Sequence, residues 1–412
     1  MTSVPDIVDL KSLVEPYLNG AELQSYDSRY LTKPGDNYGS CMLAIAANIK
    51  RTNGQVEELP IIAKLPPLTN EIYWQIFSPE RTCITENTVF HSLAPEMRQL
   101  QLEAGLPKEK IFDGIPRYYG SRIALDPKAT KVDRDAVLVQ ENLQISGYKP
   151  GNRHKMFDFA HAQLVLEYLA QFHALSIALR HKKPENFSKS IRPYFNRFNM
   201  NNTLGPEMLE DVRKSLRGDL EIVTNKNAKE VEEIMKLFDL FDEMMAQPEA
   251  ADGPFTTVSH FDLWINNIMF KYDEKNQPQK LKFVDFQIAQ FESLAHDIIF
   301  FMLFCLEVAV LENDFENLLK IYYKAFIQCL EEVQVPTNEY SYELFLNEIR
   351  RVGPVEMSHP LFMTKVILTD NSSLPDDFKD LDITVLSKNN GLKTITSRMK
   401  EILRLAKKYK LL

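Results

Sequence analysis

The chain has 412 residues, of which 44% are hydrophobic and 25% are charged, so it is long enough for a large core and is neither disordered nor fibrous. Its formal net charge of -9 argues against nucleic acid or an anionic membrane surface as the main partner. The four cysteines lie far apart without metal-ligand spacing, which predicts reduced thiols in a cytoplasmic protein and argues against a zinc site.

The sequence also argues against a secretory signal and a membrane span. The first residues are acidic and amphipathic, without the basic end and apolar stretch of a signal peptide. The most apolar run, residues 298–311, contains Glu307 and is shorter than the roughly 20 residues that a membrane helix needs. We therefore expect a buried helix in this run.

The first part of the chain is predicted to form a helical segment and then a strand-rich lobe. Residues 1–28 have a helical pattern that is broken at Pro16 and Gly20. The runs "MLAIAANIK" and "LPIIAKLPP" predict two strands, and Asn53-Gly54 between them is a strong hairpin signal. The stretch "ERTCITENTVFHSLAPEM" predicts a helix, and "IPRYYGSRIAL" and "DAVLVQENL" predict two further strands.

The second part of the chain is predicted to be mainly helical. A long amphipathic helix starts near Asp158, and residues 290–412 are mostly helix. Residues 258–287 supply the only strands expected in this part. The predicted fold is therefore α+β, with an N-terminal helical segment (1–28), a small antiparallel-sheet N-lobe (29–143) and a large helical C-lobe (144–412).

The stretch "VSHFDLWINNIMFKYDEKNQPQKLKFVDFQ" combines polar side chains in a pattern that suits phosphoryl transfer. Such a reaction needs a proton acceptor and oxygen ligands that hold magnesium against the phosphates. We interpret Asp262 as the base, and Asn267 and Asp285 as the metal ligands. His260 is expected either to brace the loop or to contact the substrate. Asn266 could compete for the metal, but the five-residue spacing favours Asn267; the alternative is an Asx-rich turn joined to a hairpin.

Three features upstream fit a kinase with a nucleotide site. The stretch "KPGDNYGS" precedes a strand and could bring backbone amides close to phosphate, with Gly35, Asn37, Gly39 and Ser40 as the candidate residues. Lys64 is a charge within an apolar strand, where a surface lysine is the ordinary alternative. Glu86 on the following helix could pair with this lysine, and Glu80 is a possible substitute.

Other polar and aromatic residues have two readings each. Asp297 is predicted either to cap the following helix or to brace the catalytic loop. His173 lies on an apolar helix face and is expected to be a core histidine. An aromatic segment could cover an apolar substrate, although core packing is its default explanation; its members are Tyr194, Phe195, Phe198 and Met200.

The motifs "HFDLWINNIMFKYD" and "FVDFQ" resemble the catalytic region of the ecdysteroid kinase-like proteins of insects, which are related to choline kinases and aminoglycoside phosphotransferases. The runs "GDNYGS", "IIAKLPP", "VLVQENL", "LEYLAQFHALS" and "LAHDIIFF" occur in the expected order along the chain. The resemblance extends from about residue 30 to beyond residue 330. The motif around Trp264 is typical of this group, whereas protein kinases carry HRD and DFG.

The resemblance implies a protein-kinase-like bilobal fold with ATP and Mg²⁺ bound between the lobes. It implies that Asp262 is the base, that Asn267 and Asp285 bind magnesium, and that Lys64 pairs with Glu86. The acceptor implied is a hydroxyl of a steroid moulting hormone or of a foreign hydroxylated compound. We expect a monomer.

The linker "VQENL" is implied to contact adenine through its backbone, with Val139, Glu141 and Leu143 as the candidate residues. Two positions depart from the family pattern. Phe261 stands where glycine is common, and Asn142 replaces an aspartate. Neither change removes a charged group that the chemistry needs.

Two other functions compete with a small-molecule kinase. A non-catalytic binder of small molecules could use the same cleft, but the intact Asp262, Asn267 and Asp285 count against it. A protein kinase is disfavoured because "QIAQFESLAHD" leads from Asp285 straight into an apolar helix and leaves little room for a peptide platform.

Overall fold

The fold was analysed in a computed structural model, which describes residues 4–31, 40–68, 71–152, 155–199, 206–250, 252–368 and 391–412. Within these ranges an antiparallel sheet occupies the N-terminal region, and the C-terminal part is mainly helical. The predicted α+β, kinase-like bilobal fold is therefore confirmed. The exact lobe boundaries stay predictions.

The N-lobe is built on a five-stranded antiparallel sheet with the order β1-β2-β3-β5-β4. Its strands are β1 (Glu22–Tyr30), β2 (Cys41–Lys50), β3 (Val56–Leu65), β4 (Tyr118–Arg122) and β5 (Val137–Glu141). The predicted hairpin joins β2 to β3, and Gly54 adopts the positive φ of 84° that its turn requires. One face of the sheet carries the smaller of two apolar cores.

The N-terminal segment is only partly helical. A short helix, α1 (Leu10–Val14), and a 3-10 turn (Glu15–Tyr17) match the expectation for residues 1–28. The expectation is wrong for residues 22–28, which belong to the edge strand β1. Most side chains of β1 are at least partly exposed, so its sequence is polar and lacks a clear apolar alternation.

Helices cover the sheet and form the C-lobe. The N-lobe helices are α2 (Glu71–Phe77), α3 (Pro79–Thr88) and α4 (Ala94–Glu103), with a π-helical turn (Val89–Leu93) between the last two. The C-lobe helices are α5 (Phe159–Lys182), α6 (Pro184–Ser190), α7 (Pro206–Val223), α8 (Ala228–Ala246), α9 (Ala295–Cys305), α10 (Val308–Glu332), α11 (Tyr342–Glu356), α12 (Ser358–Leu368) and α13 (Lys393–Lys408).

Helix α5 begins where the sequence predicts. The Asp158 side chain caps it by accepting a hydrogen bond from the His161 amide. This helix alone among the described residues is long and apolar enough to cross a membrane, but 72% of its most apolar stretch is buried inside the protein. It packs against α10 in the larger core. The predicted buried helix also forms, as α9, although it ends at Cys305.

Short strands in the C-lobe carry the loops of interest. These are β6 (Lys149–Pro150), β7 (Thr256–Ser259), β8 (Ile268–Tyr272), β9 (Pro278–Phe283) and β10 (Gln290–Ser293). The predicted hairpin is the β8–β9 pair. The expectation that residues 258–287 hold the only strands is wrong, because β10 pairs with β7 and β6 pairs with β8.

Candidate active site

Three charged side chains from three elements meet between the lobes. Lys64 on β3 places its Nζ 2.6 Å from Oε2 of Glu86 on α3, and 2.7 Å from Oδ1 of Asp285, which follows β9. Burial lowers the pKa of Lys64, but the Asp285 and Glu86 carboxylates outweigh it and hold the pKa above its usual value. Glu80, the alternative partner, instead accepts a hydrogen bond from the Val132 amide.

The catalytic-loop candidates Asp262 and Asn267 are in direct contact. The Asn267 Nδ2 donates to the Asp262 carbonyl at 2.8 Å and to its Oδ2 at 3.0 Å. Asn267 is buried on a 3-10 turn (Ile265–Asn267), whereas Asn266 is exposed to solvent. The structure thus brings the side chain chosen by the five-residue spacing to the aspartate.

The Asp262 carboxyl has an environment that suits a base. Burial and then the charge of Asp285 raise its pKa to about 7, against opposing contributions from His359, Asn267 and Trp264. A general base works best when its pKa lies near the working pH. Asp262 is therefore poised to take a proton near neutrality.

Asp297 braces the catalytic loop. Its Oδ2 accepts from the His260 amide at 2.7 Å, and its Oδ1 accepts from the Phe261 amide at 2.8 Å. The His173 Nε2 also lies 3.0 Å from Oδ2, and the Nδ1 of that imidazole lies 2.8 Å from the Tyr322 hydroxyl. Burial raises the pKa of Asp297, but the His173 hydrogen bond and charge hold it below its usual value. Asp297 lies inside the first turn of α9 and does not cap it.

His260 supports the loop through its ring. The Nε2 donates to the Val284 carbonyl at 3.0 Å, and Nδ1 accepts from the Asp262 amide at 3.3 Å. The residue is 1% exposed, and burial lowers the pKa of its imidazole. Both ring nitrogens are thus used within the fold, which makes His260 a positioning residue that links Asp262 to Val284, the residue directly before Asp285.

The sequence model of the ecdysteroid kinase-like family matches residues 34–335, which include the whole constellation. The chain belongs to this family. Membership implies kinase-like phosphotransfer to small molecules. A search of curated proteins found no match.

The family resemblance makes the Phe261 backbone informative. This ecdysteroid kinase-like chain has Phe261 at φ 64°, in the left-handed region where glycine is favoured. Asp285 is also left-handed, at φ 66°. The backbone geometry thus explains why glycine is common at the first position and shows that a phenylalanine can be held there.

Only some of the residues that are predicted to bind the nucleotide in this kinase-like chain lie within the described ranges. Gly35, Asn37 and Gly39 lie outside the described residues, and so does Met200 of the aromatic segment. Ser40 lies immediately before β2 and lines a small cavity next to Lys64. The phosphate-loop assignment therefore stays a prediction.

The linker residues of this family member already make hydrogen bonds and packing contacts within the fold. The Glu141 amide donates to the Arg117 carbonyl at 2.9 Å, and the Leu143 carbonyl accepts from the Tyr148 amide at 2.9 Å. Val139 is fully buried in the sheet, in register with Ala63. Adenine contacts through this linker stay a prediction, and these particular backbone groups already have partners.

Sequence reasoning missed two contributors near the site. Arg81 on α3 donates to three backbone carbonyls of the C-lobe, those of Asn196, Gln287 and Ala289. His359 lies against the catalytic loop from α12. Neither belongs to a motif, so no local signal could have found them.

The aromatic segment divides between core and surface. Phe195 is 1% exposed and belongs to the larger core, as the default reading predicts. Tyr194 is 42% exposed, and its carbonyl accepts from the Thr85 hydroxyl on α3. This segment therefore packs against the helix that carries Glu86.

Proposed function

We propose that the protein transfers the γ-phosphate of ATP to a hydroxyl of a small, steroid-like molecule in the presence of Mg²⁺. The observation that carries the proposal is Lys64 held between Glu86 and Asp285, with Asp262 near enough to Asp285 for their charges to interact. A lysine, two carboxylates and a separate base are the groups that phosphoryl transfer requires.

The residues present fit a magnesium ion. Because the Asn267 amide nitrogen donates to Asp262, the amide oxygen is left for a cation. Asp285 uses Oδ1 for Lys64 and remains 33% exposed at its side chain. Among the described residues no group of three or more His, Cys, Asp or Glu forms a metal cluster. Two protein oxygens completed by phosphate and water are an ordinary magnesium site.

Each residue has a distinct proposed role. Asp262 accepts the proton of the attacking hydroxyl, and Lys64 supplies positive charge where the phosphates bind. Glu86 fixes the position of the Lys64 ammonium group. The magnesium ion, when bound, neutralises the charge that develops on the phosphate oxygens.

The surroundings of Asp262 support an apolar acceptor. The Phe261 ring centroid lies 6.5 Å from that of Phe241 and 5.8 Å from that of His359, and the His359 ring stacks on Phe300 at 4.0 Å. The Phe261 and Phe300 rings are buried, whereas Phe241 and His359 stay partly exposed. A partly exposed ring edge close to the base suits a fused-ring molecule better than a small polar alcohol. A detoxification kinase for foreign hydroxylated compounds is the second candidate, since the same surface would accept them.

We also propose that the protein works in the cytoplasm as a monomer. Its four cysteines are free thiols, as expected in a reducing compartment.

The test is turnover. The purified protein is incubated with Mg-ATP and a panel of ecdysteroids, other sterols, plant phenolics and choline, and phosphorylated products are identified by mass spectrometry. We expect a phosphorylated steroid, and a loss of about 100-fold or more in rate for Asp262→Asn. Asp273→Asn, an exposed aspartate in the β8–β9 turn, is the matched control.

Two results separate the alternatives. If only a phenolic compound is phosphorylated, the kinase reaction stands, and the acceptor is a foreign compound and not a steroid. No product, together with no rise in melting temperature with Mg-ATP, would reject the nucleotide site altogether.

A further inference from the structure

His359 approaches the catalytic loop from a part of the chain that the family match does not include. It lies in the first turn of α12, beyond the matched residues 34–335. Its ring lies 5.8 Å from the Phe261 ring at an interplanar angle of 26°. Phe261 directly precedes the base Asp262, so the fold adds a histidine beside the reacting group.

The orientation of this histidine is fixed in two ways. Its Nδ1 lies 2.9 Å from Oε1 of Glu356, and its ring stacks on Phe300 at 4.0 Å and 3°. Because a carboxylate oxygen can only accept, Nδ1 carries the proton and donates. A ring held by a hydrogen bond and a stack is pre-organised for a contact through its other edge.

Glu356 is a strong anchor for this histidine. It is completely buried, and its second oxygen accepts from the Nδ1 of His296 at 2.5 Å. Burial raises the pKa of Glu356, but the charges and hydrogen bonds of His359 and His296 hold it below its usual value. The carboxylate therefore stays ionised and keeps both imidazoles in place.

The remaining nitrogen of His359 is available for a ligand. No hydrogen-bond partner of Nε2 is found within the described part of the chain, and the side chain is 12% exposed. The charge of His359 lowers the pKa of Asp262, in agreement with the contact between the His359 ring and Phe261, the residue directly before the base. Nε2 is therefore a free hydrogen-bonding group on a ring that contacts the residue directly before the base.

We propose that His359 binds the acceptor, with Nε2 hydrogen-bonded to an oxygen next to the hydroxyl that Asp262 deprotonates. The inference rests on the proposed function and narrows its substrate class. The acceptor carries two neighbouring oxygens, as in a vicinal diol or a hydroxyketone, on an apolar ring framework. Residues outside the family match thus determine specificity.

The test uses two substitutions that separate the two ring nitrogens. His359→Asn keeps a donor near the Nδ1 position for Glu356 and loses Nε2. His359→Gln can place its amide near the Nε2 position. His91→Gln, at an exposed histidine of the N-lobe, is the control. Steady-state rates are measured with the best acceptor of the panel and with a matched acceptor that lacks the neighbouring oxygen.

For His359→Asn we expect KM for the acceptor to rise about tenfold, as for the loss of one hydrogen bond to a buried polar group, while KM for ATP stays unchanged. His359→Gln restores part of the loss, and the acceptor without the second oxygen does not distinguish wild type from His359→Asn. If His359 had a purely structural role, its substitution would change KM for ATP as well as KM for the acceptor. Alternatively, it would lower the melting temperature without any difference between the two KM values.

Three outcomes overturn the inference. An unchanged acceptor KM in both His359 variants would remove His359 from the acceptor site while leaving the kinase proposal intact. An equal effect on the two matched acceptors would exclude the neighbouring oxygen. Absence of any phosphorylated product in the wild type would reject the proposed function, and this inference with it.

Discussion

Two of the described non-glycine residues with a positive φ lie at the candidate active site. They are Phe261, directly before the base candidate Asp262, and Asp285, a candidate metal ligand. A side chain other than glycine in this conformation costs roughly 1–2 kcal/mol. Asp297 compensates at Phe261, because its carboxylate accepts from the Phe261 amide. Strain is thus retained where the loop needs its shape and is offset by a buried carboxylate.

The Phe261 conformation predicts an unusual order of stabilities. Phe261→Ala and Phe261→Gly both empty a buried ring position and are each expected to cost about 3–5 kcal/mol. The glycine variant should be the more stable of the two by about 1 kcal/mol, because glycine adopts φ 64° without a Cβ clash. Urea unfolding of both variants measures the difference.

The same pair at Phe291 is the control. This ring is also buried, but it lies in the regular strand β10 and has no positive φ. There the alanine variant should be the more stable, by about 0.5–1 kcal/mol. An identical order of stabilities at both positions would contradict a strained Phe261.

At the scale of elements, α3 connects the two lobes. This helix carries Glu86, and the guanidinium of its Arg81 donates hydrogen bonds to the Gln287 and Ala289 carbonyls, which follow Asp285. The Glu86 Oε1 also accepts from the Phe286 amide at 3.3 Å. Burial lowers the pKa of Arg81 to about 10, and carbonyls rather than a carboxylate surround its guanidinium. The helix therefore aligns Lys64, through Glu86, with Asp285.

Substitution of Arg81 should loosen this connection. Arg81→Lys keeps the charge but cannot serve three separate carbonyls, so we expect faster amide exchange in residues 79–88 and 286–289 and a fall in turnover of about tenfold. Hydrogen exchange and steady-state rates measure the two effects. Arg98→Lys, at an exposed arginine of α4, should change neither. Unchanged exchange in residues 286–289 would mean that Arg81 does not hold the segment after Asp285.

The elements differ in how far the sequence alone could predict them. The β2–β3 and β8–β9 hairpins, and α5 with its Asp158 cap, follow from local alternation, turn residues and capping. The strand β1 could not be recognised, because an edge strand with exposed side chains has no apolar alternation. The four-residue strand β10 is stabilised by its pairing with β7, which is a tertiary contact.

The residues of the candidate site also differ in how far the sequence alone could predict them. Lys64, Glu86, Asp262, Asn267 and Asp285 could be proposed because the order of residue types along the chain is itself a signal. The roles of Asp297 and His173 became clear only from their contacts, since either residue has an ordinary alternative. His359 and Arg81 act through partners distant in sequence, and only the fold shows them.

For the molecule as a whole, the described residues beyond the family match, 336–368 and 391–412, contribute to the main core. Helices α11, α12 and α13 contribute buried side chains to it, among them Ile349, Leu361 and Ile402. Arg398 on α13 donates through Nη2 to the carbonyls at the end of α9, at 2.9 Å to Leu303 and 3.1 Å to Phe304. Because α9 also carries Asp297, the last helix supports the element that braces the catalytic loop.

The contact of α13 with α9 predicts that Arg398→Met destabilises the whole protein. The last carbonyls of a helix have no partner within it, and Arg398 supplies a buried one. Their loss should cost about 2–4 kcal/mol in urea unfolding. Arg404→Met on the same helix removes only the exposed pair with Glu312 and should cost less than about 1 kcal/mol. Equal costs would show that α13 is held by its apolar face alone, and the capping of α9 would then contribute nothing to stability.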